Sequence, residues 1–177
     1  MPILKREFYA RPTVEVARDL LGKILVHGDR AGKIVETEAY LGTGDPAAHS
    51  AAGITQRTQV IFGPPGHAYV YLNYGIHYCL NIVAEPEGTA GCVLIRALEP
   101  VHGFSVSATG PGRLTKAMGI TLSHYGADLT RGPLTVHAPP DRDSQEIHVG
   151  PRVGISKAAD LPLRFTIRGN PFVSHSR

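Results

Sequence analysis

Two carboxylates, Glu36 and Glu38, stand two residues apart in the run from Lys33 to Leu41. In an extended strand this spacing puts them on one face, about 6.6–7 Å apart, with Tyr40 next along the same face. Such a pair is either a solvated strand face or a device for glycosidic chemistry. In the second case a carboxylate takes a proton from water, or attacks the sugar carbon, while stabilising the positive charge on the sugar. Arg96 interrupts the apolar run Val93 to Leu98, and a guanidinium buried there needs an anion. It makes a structural salt bridge, or it stands beside Glu38 and holds the carboxylate or its water. Four of the seven tyrosines crowd into residues 69–78, namely Tyr69, Tyr71, Tyr74 and Tyr78. They form a satellite core or a surface on which bases stack, with Tyr74 at the bend as a wedge. Between Pro46 and Ala84 the only charged residue is Arg57, so no carboxylate there would repel phosphates. At Gly110-Pro111-Gly112-Arg113-Leu114-Thr115-Lys116, a helix start offers free N–H groups together with Arg113 and Lys116, a geometry that suits phosphate.

The elements that must hold these residues follow from periodicity. A helix is expected from Pro12 to Leu21, with Val14, Ala17, Leu20 and Leu21 on one face and Gly22 as its stop. Strands are expected at Lys23 to Val26 and at Lys33 to Leu41. In the latter, alternation assigns Val35, Thr37, Ala39 and Leu41 to the core and Ile34, Glu36, Glu38 and Tyr40 to the opposite face. A polar loop from Gly42 to Gln59 holds His49 and is long enough to carry function. Ala68 to Asn73 and His77 to Ala84 read as a hairpin turning at Tyr74-Gly75-Ile76. Cys92 to Leu98 and Leu163 to Ile167 read as further strands, and a short helix runs from Gly110 to Met118. Strands and helices do not alternate regularly, so the expected class is α+β: one domain over residues 1–177, a curved mixed or antiparallel sheet, surrounding helices and a protruding β-hairpin.

Composition narrows the classes. The chain of 177 residues has 42% hydrophobic and 19% charged residues, which excludes a disordered chain. No apolar run approaches the ~18–20 residues of a membrane span, and no signal peptide is visible, so a cytoplasmic protein without membrane contact is expected. Cys79 and Cys92 lie in apolar runs and are expected to be buried, reduced thiols. The nine histidines are scattered and no CxxC or HxxxH occurs, so neither metal nor cofactor is expected. The net charge of +3 and the excess of Arg over Lys suit a polyanionic partner recognised by fixed forks. The residues alone leave three readings: a DNA-directed glycosylase, a carbohydrate O-glycosidase using both glutamates, and a nucleic-acid binding module without catalysis. The absence of Trp, on which sugars usually stack, speaks against the second.

Longer fragments add a resemblance. Val35-Glu36-Thr37-Glu38-Ala39-Tyr40-Leu41-Gly42, Asp45-Pro46-Ala47-Ala48-His49-Ser50, Phe62-Gly63-Pro64-Pro65-Gly66 and Tyr69-Val70-Tyr71 appear in order. They are followed by Tyr74 to Asn81, Val93 to Pro100, Thr109 to Leu114 and Gly169 to Ser174. Together, from about Arg11 to Ser174, they resemble the alkyladenine (3-methyladenine) DNA glycosylase family. The resemblance implies a compact domain around a curved antiparallel sheet. It also implies an enzyme that flips alkylated or deaminated purines (3-methyladenine, hypoxanthine, ethenoadenine) out of double-stranded DNA and hydrolyses the N-glycosidic bond. It assigns Glu38 as the base that activates water and Arg96 as the basic residue near that water. Tyr40, His49 and Tyr71 become walls of the base pocket, Asn81 the side chain that disfavours guanine, and Tyr74 the minor-groove wedge. Such a protein would be a monomer, associated with the nucleoid and free of lyase activity. The link from Glu99-Pro100 to Thr109 is shorter than family members usually carry.

Overall fold

The computed structural model describes residues 1–141 and 144–175. A short helix α1 (Arg6–Tyr9) leads into α2 (Thr13–Asp19), and the strands β1 (Ile24–His27) and β2 (Arg30–Tyr40) follow. Helix α2 is shorter than the sequence suggests. Pro12 occupies its N-cap with no side chain to satisfy the first amides. The distant Glu85 does so instead, accepting from the Thr13 N–H at 2.8 Å and the Thr13 hydroxyl at 2.9 Å. Where a polar loop is expected from Gly42 to Gln59, the chain forms three 3₁₀ turns (Gly42–Gly44, His49–Ala52 and Gln59–Phe62). The hairpin β3 (Ala68–Asn73) and β4 (His77–Val83) falls where the pattern predicts, and β5 (Cys92–His102) runs four residues past its predicted end. Helix α3 (Pro111–Met118) starts after Gly110 at φ +139° and ends at Gly119 in the left-handed region. Three short strands complete the chain: β6 (Leu134–His137), β7 (Ile147–Gly150) and β8 (Arg164–Ile167).

The strands form one curled sheet in the order β3-β4-β5-β2-β1-β6. Strand β8 adds to the far half of β2, and β7 adds to β8. Every strand pairing among the described residues is antiparallel, one of the two arrangements that the α+β reading allows. Period-two alternation divides the hairpin and β5 between two faces. Ala68, Val70, Leu80, Ile82, Val93 and Ile95 enter the main core beneath the helices. Tyr69, Tyr71, Cys79, Asn81, Cys92, Leu94 and Arg96 take the other face.

Strand β2 departs from simple alternation. Its pairing with β5 slips at three places: between Ala31 and Gly32 at its start, and between Ile34 and Glu36 and between Glu36 and Thr37 near the glutamates. Val35 and Arg96 are thus each left without an opposite residue, and bulges of this kind re-aim side chains. Ile34 joins Val35 in the core instead of sharing a face with the glutamates, and Leu41, assigned above to the core, is 41% exposed. Around the glutamates neither face of β2 is solvated: Glu36, Thr37 and Glu38 are all fully buried. The bulges turn Arg96 and both glutamates to the same side.

Candidate active site

Cross-strand pairing builds the site as a rung. Tyr69 on β3 pairs with Asn81 on β4, Asn81 with Leu94 on β5, Leu94 with Glu38 on β2, and Glu38 with Arg164 on β8. Partners in a ladder share a face, so four strands present the first four residues side by side. One rung further along, Tyr40 pairs with Cys92. Over this face lies a cavity of about 420 Å³. It is lined by Tyr40, His49, Tyr69, Tyr71, Tyr74, Asn81 and Arg96, by both cysteines, and by Pro111 and Val153 from the second half of the chain.

The two glutamates differ in what holds them. Glu36 is saturated. Its Oε1 accepts from Arg96 Nε at 3.0 Å, Arg164 Nε at 2.7 Å and the Ser174 hydroxyl at 2.9 Å, while Oε2 accepts from the Ser174 N–H at 2.7 Å. Glu38 has fewer donors: the Val153 N–H at 2.7 Å on Oε1 and the Tyr40 hydroxyl at 2.9 Å on Oε2. Arg96 Nη1 stands 3.6 Å from Oε1. Burial pushes the Glu38 carboxyl above the ordinary carboxylate range, against the opposing pull of Arg96 and the two hydrogen bonds. Glu38 sits directly behind the cavity wall, and each of its three partners is part of that wall.

The aromatic walls are positioned from outside the sheet. The His49 ring meets the Tyr71 ring edge-on at 4.6 Å, and its Nδ1 shares a 2.7 Å hydrogen bond with the Tyr69 hydroxyl. Desolvation, helped by the nearby Arg57 charge, lowers the His49 pKa and favours the neutral ring. Asn81 donates from Nδ2 to the Tyr69 carbonyl at 3.2 Å, which orients its amide. Arg152 lies over the Tyr40 ring, 4.7 Å from its centroid, and forms a buried two-pronged pair with Asp45. Burial alone would raise the Asp45 pKa, but that pairing and two backbone N–H donors hold it below the usual range.

The structure therefore brings Tyr40, His49, Tyr71, Asn81 and Arg96 together on the cavity wall, with Glu38 behind it. Tyr74 reaches the cavity mouth from the hairpin tip and is 85% exposed. Arg113 and Lys116 are both exposed on α3, outside the cavity that Pro111 helps to line. Cys79 and Cys92 are free and buried, as expected, but they also line the cavity. Arg152 and Val153 carried no signal in the sequence, and Asp45, Arg164 and Ser174, though inside segments noted above, were given no role. Asp45 and Arg152 are 107 positions apart, and nothing in the spacing of either announces the other. Arg57 was visible as the lone charge of its region, but its place beside Tyr71 was not.

Residues 7–171 match the family model described as methylpurine-DNA glycosylase (MPG). A protein of Methanoculleus marisnigri is 51% identical, over 97% of this chain and 98% of its own length. One from Rhodopseudomonas palustris (strain ATCC BAA-98 / CGA009) is 49% identical, over 98% and 88%. One from Chlorobaculum tepidum is 43% identical, over 100% and 93%. All three are provisionally named 3-methyladenine DNA glycosylases. These matches define a DNA glycosylase, a DNA-repair hydrolase that acts on alkylated bases. Within that class, the chain belongs to the methylpurine-DNA glycosylase family.

Proposed function

We propose that this enzyme removes alkylated and deaminated purines from duplex DNA by flipping the damaged nucleotide into the cavity and hydrolysing its N-glycosidic bond in one step. The observation that carries the reading is the contrast between the glutamates: Glu36 is consumed by four donors, whereas Glu38 keeps acceptor capacity beside the cavity wall. Glu38 takes a proton from water, the water oxygen bonds to C1′, and the glycosidic electron pair leaves with the base. The products are an abasic deoxyribose and a free purine. A 3-methylated adenine carries a positive charge before cleavage and leaves neutral, whereas hypoxanthine needs a proton as it departs. The carboxylate also stabilises the positive sugar at the transition state. Arg96, tied to Glu36, holds its second guanidinium nitrogen towards Glu38 and the water.

Tyr40, Tyr71 and His49 hold the flipped base, with the His49 N–H on its edge, and Asn81 crowds the 2-amino group of guanine. Tyr74 enters the minor groove and fills the vacated stack, offsetting part of the few kcal/mol that flipping costs. Among the described residues no lysine lines the cavity, which favours hydrolysis over a Schiff-base lyase step. One copy of the chain supplies every residue invoked, so the enzyme works as a monomer, and its substrate places it in the cytoplasm with the nucleoid. No helix among the described residues is long and apolar enough to cross a membrane. An O-glycosidase would need Glu36 as a second working acid, and its four donors leave it no such role.

Glu38→Gln is expected to abolish base release from single-lesion duplexes while retaining binding to them. Normal single-turnover excision by that variant would remove Glu38 from the mechanism.

A further inference from the structure

We propose that Arg57 sets the charge preference of the cavity, turning it away from cationic methylpurines and towards neutral damaged purines. The inference rests on the base-excision reading above and concerns which members of that substrate class the site favours.

Both aromatic walls carry a guanidinium. The Arg57 guanidinium carbon lies 5.0 Å from the Tyr71 ring centroid, and that of Arg152 lies 4.7 Å from the Tyr40 centroid. Tyr40 and Tyr71 line the cavity, and neither arginine is among the described lining residues. An aromatic face attracts cations through the negative potential above its ring. A guanidinium on one face draws down that potential and repels a second cation on the other. A cationic base stacked on a wall backed in this way gains less than it would on a bare ring. A neutral base, which stacks by dispersion and area, loses little.

The two arginines are not equivalent. The Arg152 charge is cancelled by Asp45, whose Oδ1 accepts from its Nη2 at 3.0 Å. Arg96, on the cavity wall, is paired with Glu36 at 3.0 Å. Among the described residues Arg57 has no carboxylate partner, so its charge acts on Tyr71 uncompensated. The Glu38 carboxylate lies behind the lining with Arg96 Nη1 3.6 Å from its Oε1, and its pull on a cation is common to the Arg57 variants compared below.

The backbone that carries Arg57 is held firmly, although its side chain is exposed. The Tyr125 hydroxyl donates to the Arg57 carbonyl at 2.8 Å. The Thr58 hydroxyl donates to the Gly53 carbonyl at 2.8 Å and accepts from the Thr55 N–H at 2.9 Å. The guanidinium thus sits on a pinned turn beside Tyr71, and Tyr125 in turn meets the Tyr69 ring edge-on.

The test compares duplexes carrying one 7-methylguanine, which is cationic, or one hypoxanthine, which is neutral. Single-turnover excision is measured for the wild type, Arg57→Gln and Arg57→Lys. Binding is measured for Glu38→Gln alone and combined with Arg57→Gln. The cost of opening each base pair is common to the enzymes compared and cancels in the ratio of the two lesions. Arg57→Gln should raise the 7-methylguanine-to-hypoxanthine ratio about two- to fivefold in both measurements, the span of an exposed cation–π contact. Arg57→Lys should stay near the wild type. An unchanged ratio would overturn the inference. So would an equal loss on both lesions with a shallower salt dependence, which marks a phosphate contact. Release of neither base by the wild type would end the excision reading itself, and this inference with it.

Discussion

Glu36 and Glu38 lie on one strand, two positions apart and equally buried, and their partners give them opposite duties. Glu36 is the anion that makes two guanidiniums affordable in the interior. Its replacement by Ala leaves Arg96 and Arg164 without their shared carboxylate, and should destabilise the fold by about 3–5 kcal/mol in denaturant titration. Glu38 has the reverse energetics. Its carboxyl is harder to ionise when folded than when unfolded, so it stabilises the fold at low pH and loses that contribution as pH rises through its folded value. Glu38→Gln should therefore melt at or above the wild-type temperature at pH 8, with the gap closing towards pH 5. The same raised value places the acid limb of the pH–rate profile above the ordinary carboxylate range. Tyr40→Phe removes a donor that favours ionised Glu38, so that limb should move to still higher pH, as measured by single-turnover rates from pH 5 to 9. An unmoved limb would mean that the hydroxyl does not sense the ionisation of the base.

At the scale of elements, the hairpin tip trades stability for reach. Tyr74 and Gly75 both have positive φ, 50° and 66°, and the Ile76 N–H donates to the Asn73 carbonyl. This is a type I′ turn, which suits the twist of the strands but normally takes Asn or Gly at its first central position. A tyrosine there costs about 1 kcal/mol or more, and it holds an aromatic ring 85% exposed. Tyr74→Asn should raise the melting temperature and weaken binding to a matched lesion duplex more than to a single strand. Equal weakening of both would argue against a wedge. The hairpin was legible in the sequence because alternation and glycine act locally, and so was the N-terminal start of α3 at Pro111. The bulges flanking Glu36 were not legible. They arise from how β2 and β5 settle against each other, and they are the reason that Arg96 faces the glutamates and Ile34 faces the core. Burial of both faces of β2 was equally hidden, because the segments that cover the acid face, around Val153 and Ser174, lie more than 110 residues away.

For the molecule as a whole, recognition of DNA rests on a modest net charge of +3 and on where that charge is displayed. Arg113 and Lys116 are exposed on a helix whose first residue lines the cavity. If each neutralises one phosphate, Arg113→Ala should weaken binding equally for all lesions and reduce the salt slope of log Kd by about 1. A lesion-dependent loss would assign Arg113 to the base instead. The curled sheet that shelters the cavity also shelters Cys79 and Cys92. Burial pushes the Cys92 thiol up to about 12 and raises that of Cys79 as well. The electrophiles that methylate purines attack thiolates too, and a thiol held in its protonated form is a poor target. An enzyme needed most during chemical assault therefore keeps its two thiols, neighbours of its working face, in the form that the reagents creating its work attack least.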